Sequence, residues 1–267
     1  MLYELLIYAP ILGLLAGFLS GLLGIGGGVI IVPALMFLLP ILPDVNSTNV
    51  ALVAIATSLA TIIVTTFSSA KSHYKRGNVD FKFVTPIAMA VAITAFIAPY
   101  LASLIGGHWL KIVFACLLLA VALQMILSKT VAYTDEKEAS SEELFLGGAL
   151  TGLLAGIAGL GGGAILVPYL TFIKVNIRKA IGAAAASGMI VAIFGSIGYL
   201  LNGLAFSQSP EFLGYVHWPT ALAIMVFSYM SAPLGVKVSG KLEQKQLKRV
   251  FAVFLILVSI KLLTEQF

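Results

Sequence analysis

The chain has 267 residues, of which 60% are hydrophobic and 10% are charged, and its mean hydropathy is +1.06. An ordinary soluble domain is about 45–50% apolar and about 25% charged, so this composition excludes a soluble enzyme, a nucleic-acid-binding protein and a disordered protein, and indicates a polytopic membrane protein. The net charge of +5 fits such a protein, because Lys and Arg concentrate in cytoplasmic loops.

Ten apolar segments lie along the chain, and two of them are too short to cross a bilayer. The segments span residues 5–23, 29–42, 50–70, 83–105, 110–128, 144–160, 164–173, 180–201, 214–236 and 247–264. A crossing helix needs about 20 apolar residues, so the composition has room for about eight crossings, and the second and seventh segments do not cross unaided. A glycine cluster, at residues 24–28 or 159–163, precedes each short segment.

The two glycine clusters belong to an internal repeat. Residues 13–35 and 148–170 align at an offset of 135, with 13 identical residues among 23, including seven glycines and one proline. Composition alone does not place so many glycines in register. We therefore predict two homologous transmembrane halves, 1–128 and 144–267, joined by a polar cytoplasmic linker at 129–143.

The basic residues predict that the two halves are inverted. The loops at 71–82, 174–179 and 237–249 hold twelve Lys and Arg residues, whereas their repeat partners at 203–217, 41–49 and 106–111 hold only Lys111. Cytoplasmic loops are enriched in Lys and Arg. Equivalent loops are therefore expected on opposite sides of the membrane, as in inverted-topology repeats.

This orientation constrains the path of the glycine segments. Residues 144–173 have to enter and leave the membrane by one face, and residues 5–42 by the other. Each segment is predicted as a re-entrant hairpin, or as two short spans, followed by three transmembrane helices. The alternative, one broken helix that crosses, would leave eight basic residues outside. The predicted fold is an all-α polytopic membrane protein of two inverted repeats, with both termini extracytoplasmic.

The glycine bends are the predicted substrate site. A helix broken inside the bilayer exposes backbone groups that lipid cannot satisfy, so such breaks lie against protein or a wet cavity. Short helices that begin near Gly28 and Gly163 would present unpaired N–H groups and positive dipole ends, which hold anions. The substrate-lining candidates are Gly26, Gly27, Gly28, Gly161, Gly162 and Gly163. The competing use of glycine, close helix packing, is assigned to Gly13, Gly17, Gly21, Gly148, Gly152 and Gly156.

Few polar residues lie elsewhere in the spans. Thr57, Ser58 and Ser187 occupy matching places in the helix after each bend, where their hydroxyls would line the same cavity. Hydrogen bonds to their own or a neighbouring helix are the competing interpretation. His73 and Asp80 are candidates for gating or coupling, although His73 also fits an interfacial position. His108 and His217 are interpreted as loop residues without partners that would suggest catalysis.

The spans contain no carboxylate, and the sequence has no recognisable catalytic or metal-binding arrangement. A cation carrier is expected to hold Asp or Glu inside the membrane, so their lack favours an anionic substrate. The single cysteine, Cys116, excludes an internal disulfide. We expect no enzyme activity, no metal, no cofactor and no nucleic-acid partner.

Three runs of sequence carry a family resemblance. The first is Gly-Leu-Leu-Gly-Ile-Gly-Gly-Gly-Val-Ile-Ile-Val-Pro at 21–33, echoed at 156–168; the others are Ala-Thr-Ser-Leu at 56–59 and His-Tyr-Lys-Arg-Gly-Asn-Val-Asp at 73–80. They resemble the sulfite exporter TauE/SafE family of membrane permeases over essentially the whole chain. The resemblance implies transport of small sulfur oxyanions or organosulfonates, such as sulfite or sulfoacetate, across a bacterial inner membrane. The second half departs from the pattern with Ser187-Gly188-Met189.

The sequence thus predicts a secondary transporter that moves a small anion by alternating access. Its expected partners are the anion, the lipid bilayer and a coupling proton or other ion, while the oligomeric state stays open. No ATPase motif is present, so the driving force is an ion gradient, the membrane potential or the substrate gradient. An anion channel and a non-transporting membrane assembly subunit are the alternatives.

Overall fold

A computed structural model describes residues 2–23, 26–75, 77–127, 139–206, 208–239 and 244–264. Gly24, Ile25, Arg76 and residues 129–138 of the predicted linker lie outside the described residues. The described part of the first half forms helices α1 (Leu2–Leu23), α2 (Gly28–Leu38), α3 (Val50–Lys75), α4 (Phe81–Ile105) and α5 (Gly107–Leu127), with a 3-10 turn at Leu39–Ile41. The second half forms α6 (Ser141–Ala158), α7 (Gly163–Phe172), α8 (Ile177–Asn202), α9 (Trp218–Ser239) and α10 (Gln244–Thr264).

The described chain departs from an all-helical fold at one place, between α8 and α9. The short strands β1 (Phe212–Leu213) and β2 (Val216–His217) pair antiparallel, and the turn between them contains Gly214 at φ +60°. A two-residue turn with a glycine at positive φ is a common hairpin connection. Helix α9 therefore begins at Trp218, four residues later than the apolar segment from 214 predicts.

Each short helix folds back along the helix before it. The Tyr169 hydroxyl of α7 donates a hydrogen bond to the backbone carbonyl of Glu143 in α6, at 2.9 Å. A Cβ built on Gly147 would overlap the Tyr169 ring, so the absence of a side chain at Gly147 makes room for α7 to pack along α6. In the first half, α1 packs against both α2 and the 3-10 turn that follows it. Both glycine segments thus fold as helical hairpins, and how each hairpin enters the membrane stays a prediction.

The packing of long helices is reciprocal between the halves. Helix α1 lies along α9, and α6 lies along α4. In each pair the first long helix of one half contacts the fourth helix of the other. The centre is formed by α3 against α8, and α5 packs against α10. Because α3 is buried on nearly all sides from residue 50 to 62, everything that lies near the glycine bends is positioned by this helix.

Small residues bring the reciprocal helices close together. A Cβ on Gly17 would overlap the backbone of Ser228 in α9, and one on Gly152 would overlap the Thr94 hydroxyl of α4. Such glycine faces allow helix backbones to approach in a membrane. The predicted packing role is confirmed for five glycines at which a Cβ would overlap an atom of the neighbouring helix: Gly13, Gly17, Gly148, Gly152 and Gly156.

The outer surface is apolar. Large hydrophobic side chains are exposed along the outward faces of the long helices, including Met89, Ile93, Leu104, Leu123, Leu222 and Met230. A soluble protein does not expose apolar surface on this scale. Among the described residues, five helical segments are long and apolar enough to cross a membrane: Val50–Lys75, Phe81–Ile105, Gly107–Leu127, Ser141–Ala158 and Lys179–Asn202. The protein is therefore a multi-pass membrane protein.

Candidate functional site

The two glycine bends meet each other, although about 135 residues separate them in the chain. A Cβ built on Gly26, which has φ +86°, would lie 3.4 Å from the Cα atom of Gly161. A Cβ on Gly28 would overlap the carbonyl oxygen of Gly159. The backbones therefore touch without side chains between them, and Gly28 in particular has no room for any other residue. This contact is the centre of the candidate site.

The bends place two helix N-termini at this contact. Helix α2 begins at Gly28 and α7 begins at Gly163, and among the described residues no side chain caps Gly27 or Gly162. The first N–H groups of a helix lack an intrahelical acceptor and carry its positive dipole end. Gly27, Gly28, Gly161 and Gly162 are buried, and Gly26 and Gly163 are half-buried. Of the six predicted glycines, Gly26 and Gly28 are thus the ones that contact the other bend, at Gly161 and at Gly159.

Helix α3 supplies two hydroxyls that bind the other half of the chain. The Ser58 hydroxyl donates to the carbonyl oxygen of Gly159 at 3.1 Å. The Thr57 hydroxyl accepts a hydrogen bond from the backbone N–H of His217 at 3.1 Å. Both side chains are fully buried. These bonds join the middle of α3 to the second bend and to the hairpin before α9. They are bonds to neighbouring segments, as the competing interpretation describes, and a substrate-lining role stays a prediction.

Ser187, the repeat partner of Thr57, is arranged differently. Its hydroxyl donates to the carbonyl of Ala183 in its own helix at 2.8 Å. This is the alternative to a cavity-lining role, a hydrogen bond within the same helix. The backbone of Ser187 still lies beside the second bend, because a Cβ on Gly162 would be 3.4 Å from its carbonyl carbon. The site is therefore asymmetric, with two interhelical hydroxyls from α3 facing one self-bonded hydroxyl on α8.

Two threonines that the sequence analysis did not select also lie at the second bend. A Cβ on Gly162 would be 3.2 Å from the methyl group of Thr151, and a Cβ on Gly188 would be 3.5 Å from that of Thr66. Both threonines are buried and donate to their own helix backbone. Gly188 stands where the first half has Ser58, so Thr66 approaches the space that a second serine would occupy. Only the packing of α3 on α8 reveals this.

The interpretation of His217 as an unpartnered loop residue was wrong. Its side chain is 0% exposed, because the hairpin turns back into the helix bundle and β2 packs on α3, α8 and α9. Nδ1 lies 2.8 Å from the Thr220 hydroxyl, and Nε2 lies 3.5 Å from a carboxylate oxygen of Glu211. The Leu213-Gly214-Tyr215-Val216 sequence, a glycine between β-formers, was the available hairpin signal.

Burial lowers the pKa of His217, while the hydrogen bond and the negative charge of Glu211 oppose that change. Desolvation disfavours the imidazolium, whereas a neighbouring carboxylate favours it. Burial is the larger effect. Burial therefore favours the neutral ring, and the Glu211 carboxylate favours the charged one.

His73 and Asp80 lie away from the bends. His73 is 15 residues beyond Ser58 on α3, which is about 22 Å along the helix at 1.5 Å per residue. Its Nδ1 lies 3.2 Å from the side-chain amide of Asn78. The Asp80 carboxylate accepts from the backbone N–H of Lys82 at 3.0 Å and caps α4. The structure does not bring either residue to the glycine cluster.

In the part of the chain that the structure describes, no group of three His, Cys, Asp or Glu side chains is arranged to hold a metal ion. The polar atoms at the bends are backbone amides, carbonyls and hydroxyls. The amides and hydroxyls can donate hydrogen bonds, whereas the carbonyls can only accept them.

The chain is similar to known membrane proteins over nearly its whole length. The family model for sulfite exporter TauE/SafE matches residues 9–262. The chain belongs to the sulfite exporter TauE/SafE family. A protein of Haemophilus influenzae named "Probable membrane transporter protein" is 36% identical over 98% of this chain and 99% of its own. A protein of Methanocaldococcus jannaschii, also named a probable membrane transporter protein, is 28% identical over 92% of this chain and 92% of its own. One of Bacillus subtilis with the same description is 28% identical over 96% of this chain and 96% of its own.

The matches cover both halves, the two glycine bends and the hairpin before α9. Family and relatives identify the protein as a membrane transporter of the permease type, with a small-molecule substrate and a membrane environment. The family is one of permeases and not of enzymes.

Proposed function

We propose that the protein is a secondary transporter for a small anion, a sulfur oxyanion or an organosulfonate, and that the anion binds where the two glycine bends meet. The observation that carries the proposal is the contact of Gly26 with Gly161 and of Gly28 with Gly159. It brings the N-termini of α2 and α7 together beside two hydroxyls of α3. The sulfur chemistry rests on the family description.

The donors at the bend contact match the needs of an anion. Backbone N–H groups at a helix N-terminus bind negative charge without any basic side chain. Thr57 accepts a hydrogen bond from His217, so its own hydroxyl hydrogen is available to a substrate oxygen. Ser58 donates to Gly159 and would redirect this hydrogen when an anion separates the bends. The site binds the anion by dipoles and hydroxyls, which leaves the anion free to depart.

The proposed mechanism is alternating access between two inverted repeats, 1–128 and 144–267, with the linker at 129–143 on the cytoplasmic side. The reciprocal packing of α1 on α9 and of α6 on α4 supports a two-fold relation between the halves. The distribution of basic residues supports an inner-membrane orientation with both termini extracytoplasmic. Thr57, Ser58 and Ser187 are fully buried, so a substrate reaches them only when one half moves against the other.

Flux measurements test the proposal. The protein is reconstituted in liposomes, and the counterflow of sulfite, thiosulfate, sulfoacetate and sulfate is measured for the wild type, for Thr57→Val and for Ser58→Ala. The matched control is Ser103→Ala, since this half-buried serine donates to the Tyr100 carbonyl of its own helix at 2.7 Å. We expect saturable counterflow of at least one anion, at least about tenfold weaker in Thr57→Val because a hydrogen bond to a charged group is worth about 1.5–3 kcal/mol.

Two results would contradict the proposal. Unitary currents without counterflow would identify an anion channel at the same site. Absence of flux for all four anions in a folded wild-type protein would favour the non-transporting assembly subunit or a substrate of another class. Equal loss of flux in Ser103→Ala would show that the variants act through folding and not through the site.

A further inference from the structure

The geometry points to His217 and Glu211 as a proton-binding site that couples proton movement to anion movement. This inference rests on the proposed transport function and adds the coupling ion, its ligands and their link to the substrate site. His73 and Asp80, the coupling candidates of the sequence analysis, are not part of it.

The site reaches from solvent into the bundle. The Glu211 side chain is 34% exposed, and the His217 side chain behind it is 0% exposed. A carboxylate oxygen of Glu211 lies 3.5 Å from Nε2 of His217. Water can therefore reach the Glu211 carboxylate, whereas a proton from water reaches His217 only past Glu211 or through the interior. An exposed carboxylate in contact with a buried imidazole, as here, can pass one proton from water to the imidazole.

The position of His217 is held by its backbone and by its aromatic neighbours. Its ring lies 4.9 Å from the ring of Phe212, and the adjacent Trp218 indole donates to the carbonyl of Pro210 at 2.9 Å. The His217 N–H also binds Thr57. The residue that receives the proton is thus one hydrogen bond from a hydroxyl of the substrate site.

Two protonation states fit the observed contacts. In the neutral ring, Nε2–H donates to the Glu211 carboxylate and Nδ1 accepts from the Thr220 hydroxyl, which lies at 2.8 Å. A second proton, arriving through Glu211, places hydrogen on both ring nitrogens. The Thr220 hydroxyl then turns to accept from Nδ1–H, and the imidazolium pairs with the Glu211 carboxylate. The proton is the only atom gained, and the charge of the pair changes from −1 to 0.

The groups that face His217 leave Glu211 as its ionisable partner. The described residues of β2, of the turn before it and of α8 contribute the phenols of Tyr215 and Tyr199, whose rings are 6.4 Å apart. Burial raises the pKa of Tyr215, so this phenol stays neutral. Helices α3 and α9 contribute the hydroxyls of Thr57 and Thr220. The basic side chains of these helices come later in each helix, at Lys71, His73 and Lys75 of α3 and at Lys237 of α9.

Binding of the anion and binding of the proton to His217 are expected to strengthen each other. Burial lowers the pKa of the His217 imidazole, so the empty transporter disfavours the charged ring. A negative substrate beside Thr57 would add a second negative neighbour and raise that pKa. By linkage, the protonated ring raises the affinity for the anion by the same factor. The two ions are therefore expected to move in the same direction.

Nuclear magnetic resonance reports the protonation directly. The chain has three histidines, so labelling of histidine Cε1 in nanodisc-embedded protein gives three signals, and the one missing in His217→Gln belongs to His217. We expect this signal to titrate below the ordinary imidazole value of about 6.5, to titrate at lower pH in Glu211→Gln, and to titrate at higher pH with saturating sulfoacetate. The control variant His108→Gln leaves it unchanged. A His217 signal whose titration is moved neither by Glu211→Gln nor by sulfoacetate overturns the inference.

Flux with and without a pH gradient separates coupling from transport. Sulfate and sulfoacetate serve as probes, because their charge is constant between about pH 5.5 and pH 8. We expect an inside-alkaline gradient to drive accumulation by the wild type and by His108→Gln. His217→Gln and Glu211→Gln are expected to accumulate no more than without a gradient while counterflow continues.

Each other outcome has a defined meaning. Gradient-driven accumulation that survives in His217→Gln, or that is lost only in His73→Gln, overturns the inference and leaves the proposed function standing. Absence of counterflow in the wild type for every probe refutes the transport function and the inference together. Loss of counterflow in His217→Gln but not in Glu211→Gln, with accumulation intact in the latter, also overturns the proton site.

Discussion

A single methyl group at the contact of the two bends is expected to damage the fold, whereas the same group one residue earlier is not. The Cβ of Gly28→Ala would overlap the Gly159 carbonyl oxygen and would lie 3.2 Å from both the Leu160 Cα and the Ser58 hydroxyl. The Cβ of Gly27→Ala meets only the flexible end of Ile31 at 3.2 Å and Ala16 at 3.6 Å. The two variants are therefore a matched pair.

The expected magnitude follows from the atoms involved. Overpacking of a filled interior costs about 1–3 kcal/mol, and the backbone at Gly159 cannot rotate away as a side chain can. Displacement of the Ser58 hydroxyl from Gly159 adds about 0.5–1.5 kcal/mol for the lost hydrogen bond. We therefore expect Gly28→Ala to lower the free energy of unfolding by about 2–4 kcal/mol in total, and Gly27→Ala by less than about 1 kcal/mol.

Thermal unfolding in a mild detergent, read by far-ultraviolet circular dichroism, compares the pair, and counterflow is measured on the same preparations. We expect the midpoint of Gly28→Ala to fall several degrees below that of Gly27→Ala, which should unfold close to the wild type. Equal midpoints for the two variants would refute the backbone contact between the bends, and with it the geometry of the proposed site.

Three further predictions concern the same region and its supports. Ser58→Ala leaves the buried carbonyl of Gly159 without this donor and should destabilise the protein by about 1–3 kcal/mol; a midpoint equal to that of Ser103→Ala would contradict this. The unfolded state protonates His217 below about pH 6.5, while burial lowers its pKa in the folded state. Stability is therefore lost as the pH falls below about 6.5, and the loss should be smaller in His217→Gln; identical pH profiles would show that the ring is not buried neutral. Gly152→Val would force α6 away from Thr94 of α4 and should lower the free energy of unfolding by about 1–3 kcal/mol. Gly188→Ala should unfold close to the wild type, because its Cβ would come no closer than 3.5 Å to the neighbouring atoms.

The membrane class and the positions of the bends could be predicted from the sequence because each depends on local information, whereas the two inverted repeats stay a prediction. Apolar composition decides which solvent the surface needs. Consecutive glycines interrupt a helix wherever they occur, and the structure breaks α1 from α2 and α6 from α7 at those positions. The packing role of Gly17 and Gly152 was equally readable, since small residues spaced by four on a membrane helix form a contact face.

The partners within the site could not be predicted in this way. Ser58 binds a carbonyl 101 residues away, and Thr57 binds an amide 160 residues away. Such pairs depend on which helix faces cross, and periodicity does not contain that information. Ser187 shows most clearly that sequence position does not predict a hydrogen-bond partner. It matches Thr57 in the aligned segments, yet its hydroxyl donates to a carbonyl of its own helix.

The sequence by itself determined a membrane protein with two glycine-interrupted helical segments, because hydropathy and backbone freedom are properties of the residues themselves. Only the tertiary structure decided that the bends touch, that α3 rather than α8 supplies the interhelical hydroxyls, and that His217 lies buried against Glu211 and Thr220. The physical reason is that a polar atom acquires its role from the atoms around it, and here those atoms come from distant parts of the chain.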